Sequence, residues 1–391
     1  MGRELEAGID ALTPTLREIR HDIHKHPELG FEEHRTGGIV TEWLRKHGYE
    51  PRMCGRTGVV ADLHPERVGK TKTIALRADM DCLPMPETTD LPYRSVHDGR
   101  AHKCGHDGHT AILLGVAALL AERRDAIAGN VRLVFQPDEE GTQGGGAPVM
   151  IEDGVLEDVT EIYGLHNWPP MPRGRVGVRA GPMLAHTHRI DLEVTGLGGH
   201  ASEPQRCRDP IVAASAIVMG LQTAVSRGLG YAGGAVVSIT QIHAGTTDNV
   251  IPGRASLQGT IRSFEPSATE RVLERVREIT ESTAKAHGCS AELTLTSGYP
   301  VLINDAECAA AVRRVAQTVV GADHVVEEGL PIAGGEDFAY FAQKIAAAYF
   351  LVGAGAPGGS PTCHHPDFDF ADDIIPNAVR LFLGIVEDRL G

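Results

Sequence analysis

The order in which apolar periodicities change along the chain is what most limits its fold. Residues 59–63 and 73–78 read as strands, 109–124 as a helix rich in Ala and Leu, and 130–135 and 161–165 as two further strands. Strands and helices alternating in this way predict an α/β layer whose functional loops lie beyond the carboxyl ends of its strands. From about residue 186 the pattern changes: Ile190, Leu192 and Val194 alternate with polar neighbours, so one face of that strand is wet. A helix over 209–227, strands over 235–242 and 254–262, a helix over 268–287 and a strand over 291–296 complete a β-α-β-β-α-β order. After Tyr299-Pro300 the α/β pattern returns over 304–320, 336–344, 347–352 and a last helix near 376–390. The expected fold class is α/β, with a mixed-sheet domain formed by residues 1–185 and 299–391. The β-α-β-β-α-β domain is inserted at 186–298.

At the amino terminus Leu5, Ile9, Leu12, Leu16, Ile19 and Ile23 recur at the spacing of an amphipathic helix. Pro14 interrupts that stripe. With Thr13 as N-cap and Pro14 at the first helical position, a short helix or turn is expected before a second helix.

A length of 391 residues gives room for two or three domains with full cores. The net charge of −15, with no concentrated basic stripe, argues against a nucleic-acid partner. No run of eighteen apolar residues exists, so no membrane-spanning helix is expected. The first residues lack the apolar core of a signal peptide, and seven cysteines without framework spacing fit a reducing compartment. Together these predict a cytoplasmic location.

Four segments carry chemistry: Cys104-Gly105-His106-Asp107-Gly108-His109, Gln136-Pro137-Asp138-Glu139-Glu140-Gly141, Gly164-Leu165-His166-Asn167-Trp168-Pro169, and His364-His365-Pro366-Asp367. They supply the S, N and O donors that zinc or a similar divalent ion prefers, with one carboxylate to spare. A spare carboxylate beside such donors points to hydrolysis with water as nucleophile. Cys104 and His106, two apart around a glycine, can turn toward one ion, while Asp107 and His109 read as helix caps or hydrogen-bond partners of the ligands. Successive side chains of an extended segment point to opposite sides, so Glu140 is assigned to metal and Glu139 to general base. His166 taken alone reads equally as ligand or loop histidine, and His364 and His365 compete for one role. Asp79 and Asp81 end a strand in the same region and read equally as ligands or as a turn pair. In the inserted domain His200, Asn249 and Arg262, taken alone, read as local loop and strand chemistry.

These segments, with His24-Lys25-His26-Pro27-Glu28-Leu29, Arg77-Ala78-Asp79-Met80-Asp81 and Gly334-Gly335-Glu336-Asp337-Phe338, cover nearly the whole chain. In combination they resemble the dinuclear metallo-amidohydrolases that include hippurate hydrolase, N-acyl-amino-acid aminoacylase and indoleacetyl-amino-acid hydrolase. The resemblance implies a catalytic α/β domain with a mixed sheet and an inserted lid domain through which a homodimer often forms. It implies two divalent ions per subunit, zinc foremost, with manganese, cobalt or nickel as alternatives. Their ligands would be Cys104, His106, Glu140, His166 and His364, with Glu139 as base. It implies that His200 steadies an oxyanion and that Asn249 and Arg262 hold the substrate. The implied activity is hydrolysis of the amide bond of N-acyl amino acids. The rivals are a metallo-dipeptidase or carboxypeptidase and, in another class, a non-catalytic metal-dependent binding protein. More distant relatives carry His-x-Asp where this chain has Asp79-Met80-Asp81. His186-Thr187-His188 and Gln205-Arg206-Cys207-Arg208 match nothing in the family pattern, and read as tuners of substrate choice or as solvated hinge residues.

Overall fold

The computed structural model describes residues 2–141, 144–229 and 234–391. The chain divides into two compact units. The larger comprises Met1–Gly181, Ile303–Leu330 and Asp337–Gly391, and the smaller Pro182–Leu302 and Pro331–Glu336.

The larger unit is built on a mixed eight-stranded sheet. Its centre is four parallel neighbours, in the order Asn130–Gln136, Thr73–Asp79, Glu161–Pro172 and Ala346–Gly355. Val59–Asp62 runs antiparallel on one side, and Val176–Gly177 antiparallel on the other. Strands Thr73–Asp79 and Asn130–Gln136 are buried at every position, which explains their near-continuous apolar runs. Parallel alignment brings the carboxyl ends of Thr73–Asp79 and Asn130–Gln136 to the same edge, where Asp79 pairs in register with Gln136.

Helix His106–Glu122 is buried on all sides from His106 to Leu120. It packs against the helices Arg3–Lys25 and Ile375–Leu390. Gly115 permits the approach, since a Cβ there would meet Leu16 at 2.6 Å; a Cβ on Gly108 would collide with the Phe370 ring of the loop preceding Ile375–Leu390. The amino-terminal helix differs from the sequence expectation. It runs unbroken from Arg3 to Lys25 with Pro14 inside. Leu5, Ile9, Leu16 and Ile23 are buried along one face on both sides of the proline. Continuous burial of that stripe outweighs the one hydrogen bond a proline removes. Thr13 does not cap; its hydroxyl donates back to the Ile9 carbonyl at 2.8 Å.

The smaller unit has the β-α-β-β-α-β order. Its four antiparallel strands lie in the order Ala235–Ala244, Arg254–Ser263, His186–Thr195, Ser290–Ser297. Helices Pro210–Ser226 and Pro266–Ala286 pack together over the face carrying Ile190, Leu192, Val194, Leu257 and Ile261. Asp209 caps the first helix by accepting the Ile211 N–H, with Pro210 at the first position.

Candidate metal centre

The candidate donors of the larger unit meet at the carboxyl edge of its sheet. Cys104 Sγ lies 3.2 Å from His166 Nε2. His106 Nε2 lies 3.7 Å from Glu139 Oε2, 4.0 Å from Glu140 Oε1 and 3.8 Å from Asp79 Oδ2. His364 Nε2 is 3.3 Å from Glu140 Oε1. Cys104 with His106 and His166, and Cys104 with Glu140 and His364, are each close enough to share one ion. His365 turns elsewhere: its Nδ1 accepts the Asp367 N–H at 3.1 Å.

The two glutamates do not point to opposite sides. Both carboxylates converge on His106 Nε2. The strand ends at Gln136, and Asp138 takes a left-handed backbone conformation with φ of 48°. That turn breaks the extended alternation on which the sequence argument relied. Glu33, fully buried, holds the turn by accepting the Asp138 N–H at 2.9 Å. Burial, and then Asp81 nearby, push the Glu33 carboxyl up to about 7. His166 likewise departs from expectation. The strand Glu161–Pro172 runs on through it, so this imidazole projects from a strand rather than a loop.

Neighbouring groups set which ring nitrogen faces the cluster. His166 Nδ1 donates to the Asn167 carbonyl at 2.6 Å, leaving Nε2 toward Cys104. His106 Nδ1 lies 3.0 Å from the Asp81 carbonyl and 3.1 Å from Asp81 Oδ1, leaving Nε2 toward the carboxylates. His109 and Asp79 are occupied with each other at 2.6 Å, and also with Asn167 and Arg77 respectively. Asp107 turns away from the cluster to His24 Nδ1 at 2.8 Å and Arg20.

Two observations test whether a cation fits. His106 Nε2 is buried and makes no hydrogen bond, although the Glu139 and Glu140 carboxylates lie 3.7 and 4.0 Å away. A buried ring nitrogen left without a hydrogen bond beside carboxylates is costly unless a cation lies between them. The electrostatics agree. Burial alone would lower the His106 pKa, yet Asp79, Asp81 and Glu140 hold it well above the ordinary histidine value. Burial, then the His109 imidazole, hold His166 well below that value, so its lone pair is available. The carboxylates that favour a proton on this imidazole would equally favour a cation beside it. The thiolate, imidazole and carboxylate donors suit zinc-like divalent ions.

The remaining sequence candidates lie in the smaller unit. His200, exposed, pairs with Val250 across a short antiparallel ladder, and the Ala201 N–H donates to the Asn249 carbonyl at 3.0 Å. His200 and Asn249 are thus brought together. Arg262 stands apart, in the four-stranded sheet opposite Thr187 and Val236, and donates to the Ile261 carbonyl at 3.1 Å. His186 and His188 lie within the strand His186–Thr195, their rings 4.2 Å apart. Arg206 sits in a turn, 3.5 Å from Glu203.

Sequence reasoning missed Glu33, Asn167 and Lys103, and left Asp81 undecided. All four are buried: Glu33 lies in the Phe31-Glu32-Glu33 stretch that follows His24–Leu29, Lys103 directly precedes Cys104, and Asn167 and Asp81 lie within candidate segments.

Comparison with known proteins gives a consistent picture. An N-acetylcysteine deacetylase of Bacillus subtilis is 40% identical over 371 residues, 94% of each chain. Thermostable carboxypeptidase 2 of Saccharolobus solfataricus is 37% identical over 353 residues, 90% of this chain and 88% of its own. A crystal structure from Bacillus subtilis, described as a dinuclear metal binding peptidase, superposes with a TM-score of 0.82. It is 35% identical and covers 97% of this chain and 99% of its own. The model of peptidase family M20/M25/M40 matches residues 75–388, and the chain belongs to that family.

Proposed function

We propose that this hydrolase cleaves the amide bond of N-acyl amino acids, releasing a carboxylic acid and an amino acid. The observation that carries the reading is the convergence of Cys104, His106, Glu140, His166 and the more exposed His364, with Glu139 alongside. The deacetylase relative supports an acyl-amide substrate. The residues named as ligands would hold two divalent ions, zinc foremost. When bound, these would supply Lewis acidity and a lowered water pKa.

Glu139 would accept the proton of the attacking water and return it to the leaving amine nitrogen. His106 and His166 would present their Nε2 atoms in the tautomers fixed by Asp81 and the Asn167 carbonyl. From the smaller unit, His200 would hydrogen-bond the oxyanion, and Asn249 and Arg262 would orient the substrate carboxylate. We also read the enzyme as cytoplasmic, supported by its seven free cysteines. We read it as a homodimer through the smaller unit. The edge strand Ala235–Ala244 supports this, since it exposes Val236 and Ile242.

The carboxypeptidase relative favours a second reading, cleavage of peptides with a free carboxyl terminus. Mass-spectrometric turnover of a pooled library of N-acyl amino acids and dipeptides separates the two, with Glu139→Gln as control. Cleavage confined to acyl amides is expected. Cleavage of dipeptides alone would move the enzyme to the peptidase reading.

A further inference from the structure

His364 occupies a backbone conformation that a histidine seldom adopts, with φ of 67°. Left-handed backbone at a non-glycine residue is unfavourable and persists only where its surroundings impose it. Here one residue imposes it from both sides. The Lys103 carbonyl accepts the His364 N–H at 2.7 Å. The Lys103 ammonium donates to the Phe368 carbonyl, four residues further on, also at 2.7 Å.

Lys103 is fully buried, an unusual place for a lysine. Its charge is met by Glu87 Oε1 at 2.7 Å, with the Thr89 hydroxyl at 3.3 Å. Glu87 is in turn fixed by His24 Nε2 at 3.1 Å and by the Ser95 N–H at 2.8 Å. This explains the buried histidine of the His24–Leu29 motif, which makes no contact with the candidate donors. Lys103 immediately precedes Cys104 in the chain. The loop from His364 to Phe368 is therefore fastened to the segment that carries Cys104 and His106, at two points, by a side chain and a main-chain group of one residue.

We propose that Lys103 is a positioning residue that holds the His364 imidazole in register with Cys104 and Glu140. This rests on the reading of His364 as a metal ligand. A simple packing role would not need a buried ammonium with three oxygen partners, since an apolar side chain would fill the same space at less cost. The clamp is an outer support, which orients a ligand without touching the ion.

Lys103→Met alone would leave Glu87 buried without its cation and could unfold the chain. The test therefore uses Lys103→Met/Glu87→Gln, which removes both charges together, beside His364→Ala. Zinc binding to the metal-free full chain is titrated against a chromophoric chelator. In the double variant one zinc equivalent is expected to weaken about 10- to 100-fold. The other should stay within about threefold, and His364→Ala should lose the same equivalent as the double variant weakens. Two equivalents of unchanged affinity in the double variant, with one lost in His364→Ala, would overturn the positioning role and leave the ligand reading standing. Both equivalents weakening together would also overturn it. Unchanged binding in His364→Ala would remove the ligand reading and this inference with it. A second measurement does not depend on any variant folding. In the metal-free wild-type chain the His364 amide should exchange slowly with solvent; exchange at the rate of an unprotected amide would mean that no clamp is formed.

Discussion

Asp81 accepts the main-chain N–H of Glu140 on its Oδ2 at 2.9 Å, while its Oδ1 stands 3.1 Å from Nδ1 of His106. One carboxylate thus orients two candidate ligands that come from different strand–loop connections. Asp81→Asn keeps the shape but has only one acceptor oxygen to offer. We expect about a 10- to 100-fold loss of metal affinity with little change in fold, measured by chelator competition and circular dichroism. Unchanged affinity would mean that Asp81 merely fills a turn.

Glu139→Gln should lower kcat by at least about 100-fold while both metal equivalents remain bound. The two readouts are turnover and elemental analysis of the same sample. Loss of a metal ion would instead make Glu139 a ligand.

His364 and His365 are adjacent in sequence but face different partners, Glu140 and Asp367. His364→Ala should therefore bind one ion fewer. His365→Ala, at an exposed position, should change stability by no more than about 0.5 kcal/mol and leave metal content alone.

Gly105 separates Cys104 from His106 and has φ of 112°. A Cβ there would collide with the Asn167 side-chain amide. Gly105→Ala should destabilise the chain by about 2 kcal/mol or more, from the backbone conformation and the collision together. Urea denaturation of the metal-free protein would show it. A shift under 0.5 kcal/mol would contradict the geometry.

Glu161 links the sheet to the carboxyl-terminal helix, with Arg389 at 2.7 Å and Lys72 at 2.6 Å. Burial would raise its pKa, but Arg389, Lys72 and Tyr163 bring it down from 4.5 to about 2. The native state then holds this proton less readily than the unfolded chain. Its contribution is complete above about pH 4.5 and is lost as pH falls from there through about 2. Glu161→Gln should cost about 1–2 kcal/mol at neutral pH, discounted for solvent screening, and flatten the acid limb of the stability curve. Parallel curves for variant and wild type would contradict this.

The alternation of strand and helix, and the change to a half-wet pattern at Ile190, Leu192 and Val194, made the mixed α/β fold with a β-α-β-β-α-β portion legible from sequence alone. Such patterns are local consequences of which faces are buried. The same local reasoning failed at Pro14, where helix boundaries were drawn from capping preferences although packing against His106–Glu122 carried the helix through. At Glu139 and Glu140 the premise of an extended segment does not hold, because Asp138 is left-handed and the chain turns there.

For the metal centre, the residue types sufficed to mark thiolate, imidazole and carboxylate donors at the ends of predicted strands. Composition and spacing determine which atoms are on offer. They do not determine which nitrogen of His106 faces inward, which of His364 and His365 turns to Glu140, or that Lys103 ties residue 364 to residue 104. Those outcomes depend on contacts between segments distant in sequence, and only the tertiary structure decides them, because a hydrogen bond such as Lys103 to Phe368 leaves no periodic signal in either segment.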